Sequence, residues 1–99
     1  MAGKLPIVWT PRAKNDLARI HSFILKKWSY REAENLLGFI EDFEGLISNY
    51  PQAFRRSVAY SGLRLGLVHR NTTAVYVERE TYIVILTLFD NREDDDFRD

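Results

Sequence analysis

The run Thr81-Tyr82-Ile83-Val84-Ile85-Leu86-Thr87-Leu88-Phe89 is the feature that most limits the folds open to this chain. Ile83, Ile85 and Phe89 fall on one alternating set, and Val84, Leu86 and Leu88 on the other. A strand with two apolar faces sits inside a sheet rather than at its edge. It runs directly into Asp90-Asn91-Arg92, so its end delivers an acid, an amide and a guanidinium at the sheet rim. A rigid strand that positions polar groups supports a functional site well.

The rest of the chain supplies layers for such a strand. Leu5 to Trp9 is short, apolar and β-prone, with Pro6 at an edge or first position. Thr10-Pro11 reads as a helix start, Thr as N-cap and Pro at the first helical position. Ala13, Leu17, Ile20, Ile24 and Trp28 then recur every three or four residues and define an apolar face. Ser29 with Glu32 fits a capping box for a second helix, whose face is Ala33, Leu36, Leu37, Ile40, Phe43 and Ile47. Gly38 and Gly45, seven apart on that helix, suggest close helix packing. Pro51 disfavours helix at Tyr50 and ends the segment.

From Phe54 the period becomes two. Phe54–Val58, Leu63–Val68 and Thr73–Glu78 read as strands, joined to the closing strand by short connections that imply an antiparallel meander. The order is β-α-α-β-β-β-β. A helical hairpin covers one face of a mainly antiparallel sheet of four or five strands, giving a two-layer α+β fold. One domain is expected over residues 1–92, with an acidic tail over 93–99. The helices are expected to cover Leu63, Leu65 and Leu67, which leaves Arg64 on the open face.

Composition narrows the chemistry. With 45% hydrophobic and 13% aromatic residues, the chain has the material for a packed core. The absence of Cys excludes a disulfide framework, a thiolate metal site and a Cys nucleophile. No apolar run approaches the ~20 residues of a membrane span. Met1-Ala2-Gly3-Lys4 has no signal-peptide character, so the expected location is the cytoplasm. The formal net charge of +0 weighs against a life on phosphate backbones.

His21 and His69 stand far apart, and no spaced acidic loop exists, so no metal site is expected. The glycines form no phosphate loop, and no Ser-His-Asp pattern is present, so no cofactor or covalent catalysis is expected. The arginines remain. Arg55 and Arg56 follow the helices, Arg64 lies on the next strand, Arg70 at that strand's end, and Arg92 after the closing strand. On an open sheet face such guanidiniums would suit phosphates or carboxylates. As exposed strand residues they would equally serve solubility and edge protection.

The ordered set Trp9 to Ile20, Asn49-Tyr50-Pro51, Gly62-Leu63-Arg64 and Ile85 to Arg92 resembles the RelE/ParE superfamily of type II toxins. The resemblance implies a bacterial toxin–antitoxin module and a cognate antitoxin that wraps the toxin. Two branches follow from it. The RelE-like branch cleaves mRNA on the ribosome; there Arg64 and Arg92 would be the catalytic residues, with Arg55, Arg56 and Arg70 as phosphate- or target-binding residues. The ParE-like branch binds a protein target, DNA gyrase. Asp90-Asn91 stand where the nuclease branch carries a His or another basic residue, and no Tyr follows Arg92. Arginine stays protonated and is a poor proton shuttle. The expectation is therefore a ParE-like toxin, with the mRNA endonuclease as one alternative and an inactive toxin-fold protein as another. Phe23, Trp28 and Phe39 crowd the helical hairpin and are the expected antitoxin-docking residues, with a core or homodimer contact as the competing use.

Overall fold

The computed structural model describes residues 4–94; residues 95–99, most of the expected acidic tail, lie outside the described residues. The elements are β1 (Ile7–Trp9), α1 (Pro11–Lys27), α2 (Tyr30–Asn49), β2 (Arg64–His69), β3 (Thr72–Glu78), β4 (Ile83–Asp90) and the single turn α3 (Asn91–Asp94). The strands form one sheet in the order β1-β4-β3-β2. β2, β3 and β4 make the antiparallel meander, and β1 pairs parallel with β4. The closing strand is thus internal, as its two apolar faces require. Phe54–Val58 is not a full strand: it touches the sheet through one isolated bridge, Arg56 opposite Arg64.

Both helices start as their sequences dictate. Thr10 accepts from the Ala13 N–H at 3.0 Å with Pro11 behind it, and Ser29 accepts from the Glu32 N–H at 3.0 Å. The capping box is only half made, because the Ser29 N–H goes to Ile24 O instead of the Glu32 side chain. The two-residue junction Trp28-Ser29 folds α2 back along α1, bringing His21 and Glu34 within 3.8 Å. Ala13, Ile20, Ile24, Ala33, Leu36, Ile40, Phe43 and Ile47 are buried against Ala74, Tyr76, Ile83, Ile85 and Leu88 of the sheet. Each large apolar side chain so buried contributes roughly 1.5–3 kcal/mol. Trp28 and Leu37, expected in the apolar stripes, are exposed instead.

Three departures from simple alternation decide what each face carries. First, β4 has a bulge at Leu86, since Ile85 pairs with Tyr76 but Thr87 pairs with Val75. The bulge moves Leu88 to the helix side with Ile83 and Ile85, and turns Phe89 outward. Second, the helix layer covers Arg64, Gly66 and Val68 rather than the leucines. A Cβ at Gly66 would lie 2.5 Å from the Phe43 ring, so α2 sits closer to β2 than any larger side chain allows. Third, a register shift between Leu67 and His69 turns His69 against α2, where it stacks on Phe39 at 4.1 Å between ring centroids.

Gly38 and Gly45 do not mediate close packing; a Cβ at either would meet open space. Both are helix-interior glycines on the exposed face of α2. Gly38→Ala and Gly45→Ala are therefore each expected to stabilise the fold by about 0.5–1 kcal/mol. Urea titration of each variant checks this; a loss of stability in both would show that the positions are sterically engaged.

Candidate functional site

β1 ends at Trp9, so β4 has no strand partner on that side beyond Ile85. The first two turns of α1 take its place. Thr10 donates its hydroxyl to Leu86 O at 2.9 Å, and its N–H goes to Ile85 O. Asp16, in the second turn of α1, accepts from the Thr87 hydroxyl and from the Leu88 N–H at 3.1 Å. Arg19 then donates to the other Asp16 oxygen at 2.7 Å and reaches Glu93 of α3 with two more bonds at 3.1 Å. The bulge of β4, the start of α1 and the last described turn are tied through one buried carboxylate. Nothing in the sequence pattern alone assigns Asp16 a role of its own. Its signal was a carboxylate inside an apolar stripe, three residues after Ala13 and four before Ile20. Glu93, expected in a solvated tail, is held in α3 by Arg19.

The rim at the end of β4 is equally closed. Asp90 is buried, accepting from the Thr72 hydroxyl at 2.6 Å and from Arg92 through its backbone N–H, Nε and Nη2, each at 2.9 Å. Arg92 also faces Glu32 at 3.6 Å and lies 5.7 Å from the Trp28 ring centroid. Burial alone would raise the Asp90 pKa; the Arg92 and Thr72 hydrogen bonds outweigh it and hold the carboxyl below its ordinary value. The hydrogen bonds to Asp90 likewise raise the Arg92 guanidinium above its own ordinary value.

Arg64 is not on the open face. It is buried on the helix side, with Nε and Nη2 on Glu78 Oε1 at 2.8 and 2.7 Å and Nη1 on Phe54 O at 2.7 Å. With the Tyr76 hydroxyl on Pro51 O at 2.8 Å, it pins the α2–β2 connection to the sheet. Arg64 and Arg92 also fail to meet. Arg64 pairs with Tyr76, and Asp90 with Thr72, four residues away on β3 and so about 13 Å along the strand. Arg64 then reaches toward Glu78, away from that end, while Arg92 folds back onto Asp90. Both side chains are only 10% exposed.

The other expected site residues scatter. Arg55 and Arg56 are exposed on the segment flanking β2, and Arg70 is exposed in the β2–β3 turn at the opposite end. Of the expected docking aromatics, Phe23 packs partly against the core and Phe39 stacks on His69, while Trp28 is 59% exposed. Among the described residues no group of three His, Asp or Glu is placed to hold a metal ion, and no helix is long and apolar enough to cross a membrane.

The face opposite the helices is apolar. Leu65, Val75 and Thr87 form one cross-strand row and Leu67, Thr73 and Phe89 the next. Two adjoining cavities of about 510 and 530 Å³ lie over them and share Leu65 and Phe89. One wall is the excursion from Ser57 to Gly62, closed by Ser57 N–H to Leu63 O and turned at Gly62 with φ +85°. Val58, at its tip, is 94% exposed.

No curated protein matches the chain. Among solved structures, the chain resembles one from the chromosomal ParDE toxin–antitoxin system of P. aeruginosa, at 21% identity over 88% of this chain and 96% of that one, with a TM-score of 0.73. The YoeB dimer of Staphylococcus aureus matches at 14% identity over 88% of this chain and 97% of that one, TM-score 0.60. The E. coli DinJ–YafQ toxin–antitoxin complex matches at 11% identity over 91% and 96%, TM-score 0.58. At these identities the likeness shows the shared fold. The family model for the ParE toxin of the type II toxin–antitoxin system parDE matches residues 7–95, nearly the whole chain. This chain belongs to the ParE toxin family of type II toxin–antitoxin systems.

Proposed function

We propose that this toxin acts by binding a protein target, DNA gyrase, and not by cleaving RNA, and that a cognate antitoxin neutralises it. The observation that carries this reading is the engagement of Arg64 and Arg92, each bound to a carboxylate inside the fold and at opposite ends of β3. A two-arginine clamp on a scissile phosphate needs both guanidiniums free and converging on one point. Beside Arg92, the Asp90 carboxylate is a poor general base, because the hydrogen bonds from Arg92 and Thr72 lower its affinity for a proton. The open face, by contrast, presents leucine, valine and phenylalanine side chains, the kind of surface that binds protein.

The test is induction of the chain in a bacterial host without its antitoxin, combined with a supercoiling assay using purified gyrase. Growth arrest with blocked supercoiling and intact message is expected. Prompt message cleavage would replace this reading with the endonuclease. Unimpaired growth with folded toxin present would mark an inactive toxin fold. Binding of the product of the adjacent small gene, with relief of growth arrest, tests the antitoxin.

A further inference from the structure

We infer that the outer flank of α1 binds the sugar–phosphate backbone of duplex DNA. The choice of DNA rests on the gyrase reading above, since a toxin seated on gyrase is brought beside the DNA that enzyme holds. The observation underneath is how the chain divides its charge. α1 carries Arg12, Lys14, Arg19, Lys26 and Lys27 against one acid, and that acid, Asp16, is buried against β4. α2 carries Arg31 against Glu32, Glu34, Glu41, Asp42 and Glu44. The net charge of +0 thus conceals a cationic helix beside an acidic one, and the exposed surface of α1 has no carboxylate of its own.

On α1 the cations form a ridge. Arg12, Arg19 and Lys26 are seven residues apart, so they drift by only about 20° per repeat and stay on one flank. Asn15 and Ser22 fall between them at three- and four-residue spacing, and all five are exposed. Arg12, at the start, is 78% exposed, with Asp16 no closer than 3.8 Å. Arg19, in the middle, is bound to Asp16 and Glu93, so much of its charge is matched inside the protein. Lys26 ends the ridge beside Lys27, and among the described residues neither is paired with a carboxylate. Guanidinium, ammonium, amide and hydroxyl groups are the side chains that contact phosphate oxygens. A protein-binding surface has an apolar centre, and none of these five residues is apolar.

The span sets the size of the contact. Fourteen positions separate Arg12 from Lys26, about 21 Å along the helix axis. That length matches about six base pairs of duplex, which carry about twelve phosphates. Arg12, Lys26 and Lys27 supply three uncommitted cations for the ones within reach. Release of about three counterions gives log K falling with log salt at a slope of about −2.7, close to a fortyfold loss between about 50 and 200 mM. Every group on the ridge addresses the backbone, so the contact reads no base sequence.

The probe is a fluorescein-labelled DNA duplex of about twenty base pairs, longer than the ridge can span. It is titrated with the intact toxin and followed by anisotropy. Binding is expected at about 50 mM salt, weakening about fortyfold at about 200 mM. R12E/K26E, changed at two exposed positions, should lose at least tenfold in affinity. K4E/R79E makes the same change in net charge at two exposed positions flanking the end of the sheet where β4 begins. It should stay within about threefold of the wild type, because its charges lie beyond the Debye length from the ridge. Unchanged far-ultraviolet spectra show that both variants fold. Equal losses in the two variants overturn the inference, because net charge alone then governs binding. So do wild-type affinity in R12E/K26E, a titration indifferent to salt, and no binding at the lower salt. An RNA duplex of the same sequence bound at least tenfold tighter overturns it too, since the backbone recognised is then RNA. The titration contains no gyrase, so its failure and a failed supercoiling result are told apart.

Discussion

Asp16→Ala is expected to remove about 3 kcal/mol of folding stability, equivalent to a fall in Tm of roughly 12–24 °C for a domain of this size. The reason is the company the carboxylate keeps. Its loss leaves the Leu88 N–H buried and unpaired beside the β4 bulge, frees the Thr87 hydroxyl, and leaves Arg19 with Glu93 alone. An orphaned buried donor carries its full desolvation cost. Arg19 is 52% exposed, so its unpaired charge is solvated, which keeps the expected value at the lower end for a broken buried pair. Urea unfolding checks this; a cost below about 1 kcal/mol would mean that water replaces Asp16 at the bulge.

The pH dependence of this site has a definite sign. Burial pushes the Asp16 carboxyl up, but hydrogen bonds from Thr87, Arg19 and the Leu88 N–H together bring it below its ordinary value of 3.8. A carboxyl with a lower pKa folded than unfolded contributes stability above the unfolded value and loses it as pH falls through the folded one. Asp90 behaves alike. Stability should therefore hold between about pH 7 and 5 and decline below about pH 4. Asp16→Asn should make that decline shallower. A steep loss beginning near pH 6 would implicate a different group.

Asp90→Ala is expected to cost about 3–5 kcal/mol, the largest effect of any single truncation at the β4 rim. Asp90 is 1% exposed, and its removal strands the Arg92 guanidinium and the Thr72 hydroxyl in the space it occupied. Arg92→Ala should also destabilise, by leaving a buried carboxylate without its main donor. The double variant should be less costly than the sum of the two by about 1–3 kcal/mol, because each single change already breaks the same pair. Additivity within about 0.5 kcal/mol would show that the two residues act independently, and would return Arg92 to the set of groups available to a ligand. The experiment thus separates a structural arginine from a functional one without assuming an activity.

Much of this architecture is legible in the residues. Thr10-Pro11 and Ser29 mark the helix starts because capping is a local matter of side-chain oxygens and free N–H groups. Ile83 to Phe89 announces an internal strand because both its faces are apolar. The family resemblance, carried by the same segments, holds over residues 7–95. The candidate site was less legible. Alternation alone placed Arg64 on the open face and the leucines under the helices, and the structure reverses both. Apolar character alone could not decide between the two sides of β2. The absence of a side chain at Gly66 decided it, by letting the Phe43 ring approach where a Cβ would stand 2.5 Å away.

By itself, the sequence determined both long helices, the strands of the sheet, that β4 is interior and that two layers form. These follow from local propensity and periodicity, which act over a few residues, while the family shows in a likeness carried by ordered segments along the whole chain. Only the tertiary structure decided the phase of each face and the fate of each charge. The bulge at Leu86 and the shift after Leu67 each change which residues face the helices, and a one-residue slip moves every following side chain across the sheet. Arg64 and Arg92 looked like chemistry in the sequence. In the fold they are held by Glu78 and Asp90, partners fourteen and two positions away. A guanidinium buried beside a carboxylate binds it in preference to remaining unpaired, and no local pattern reveals which carboxylate the fold will bring.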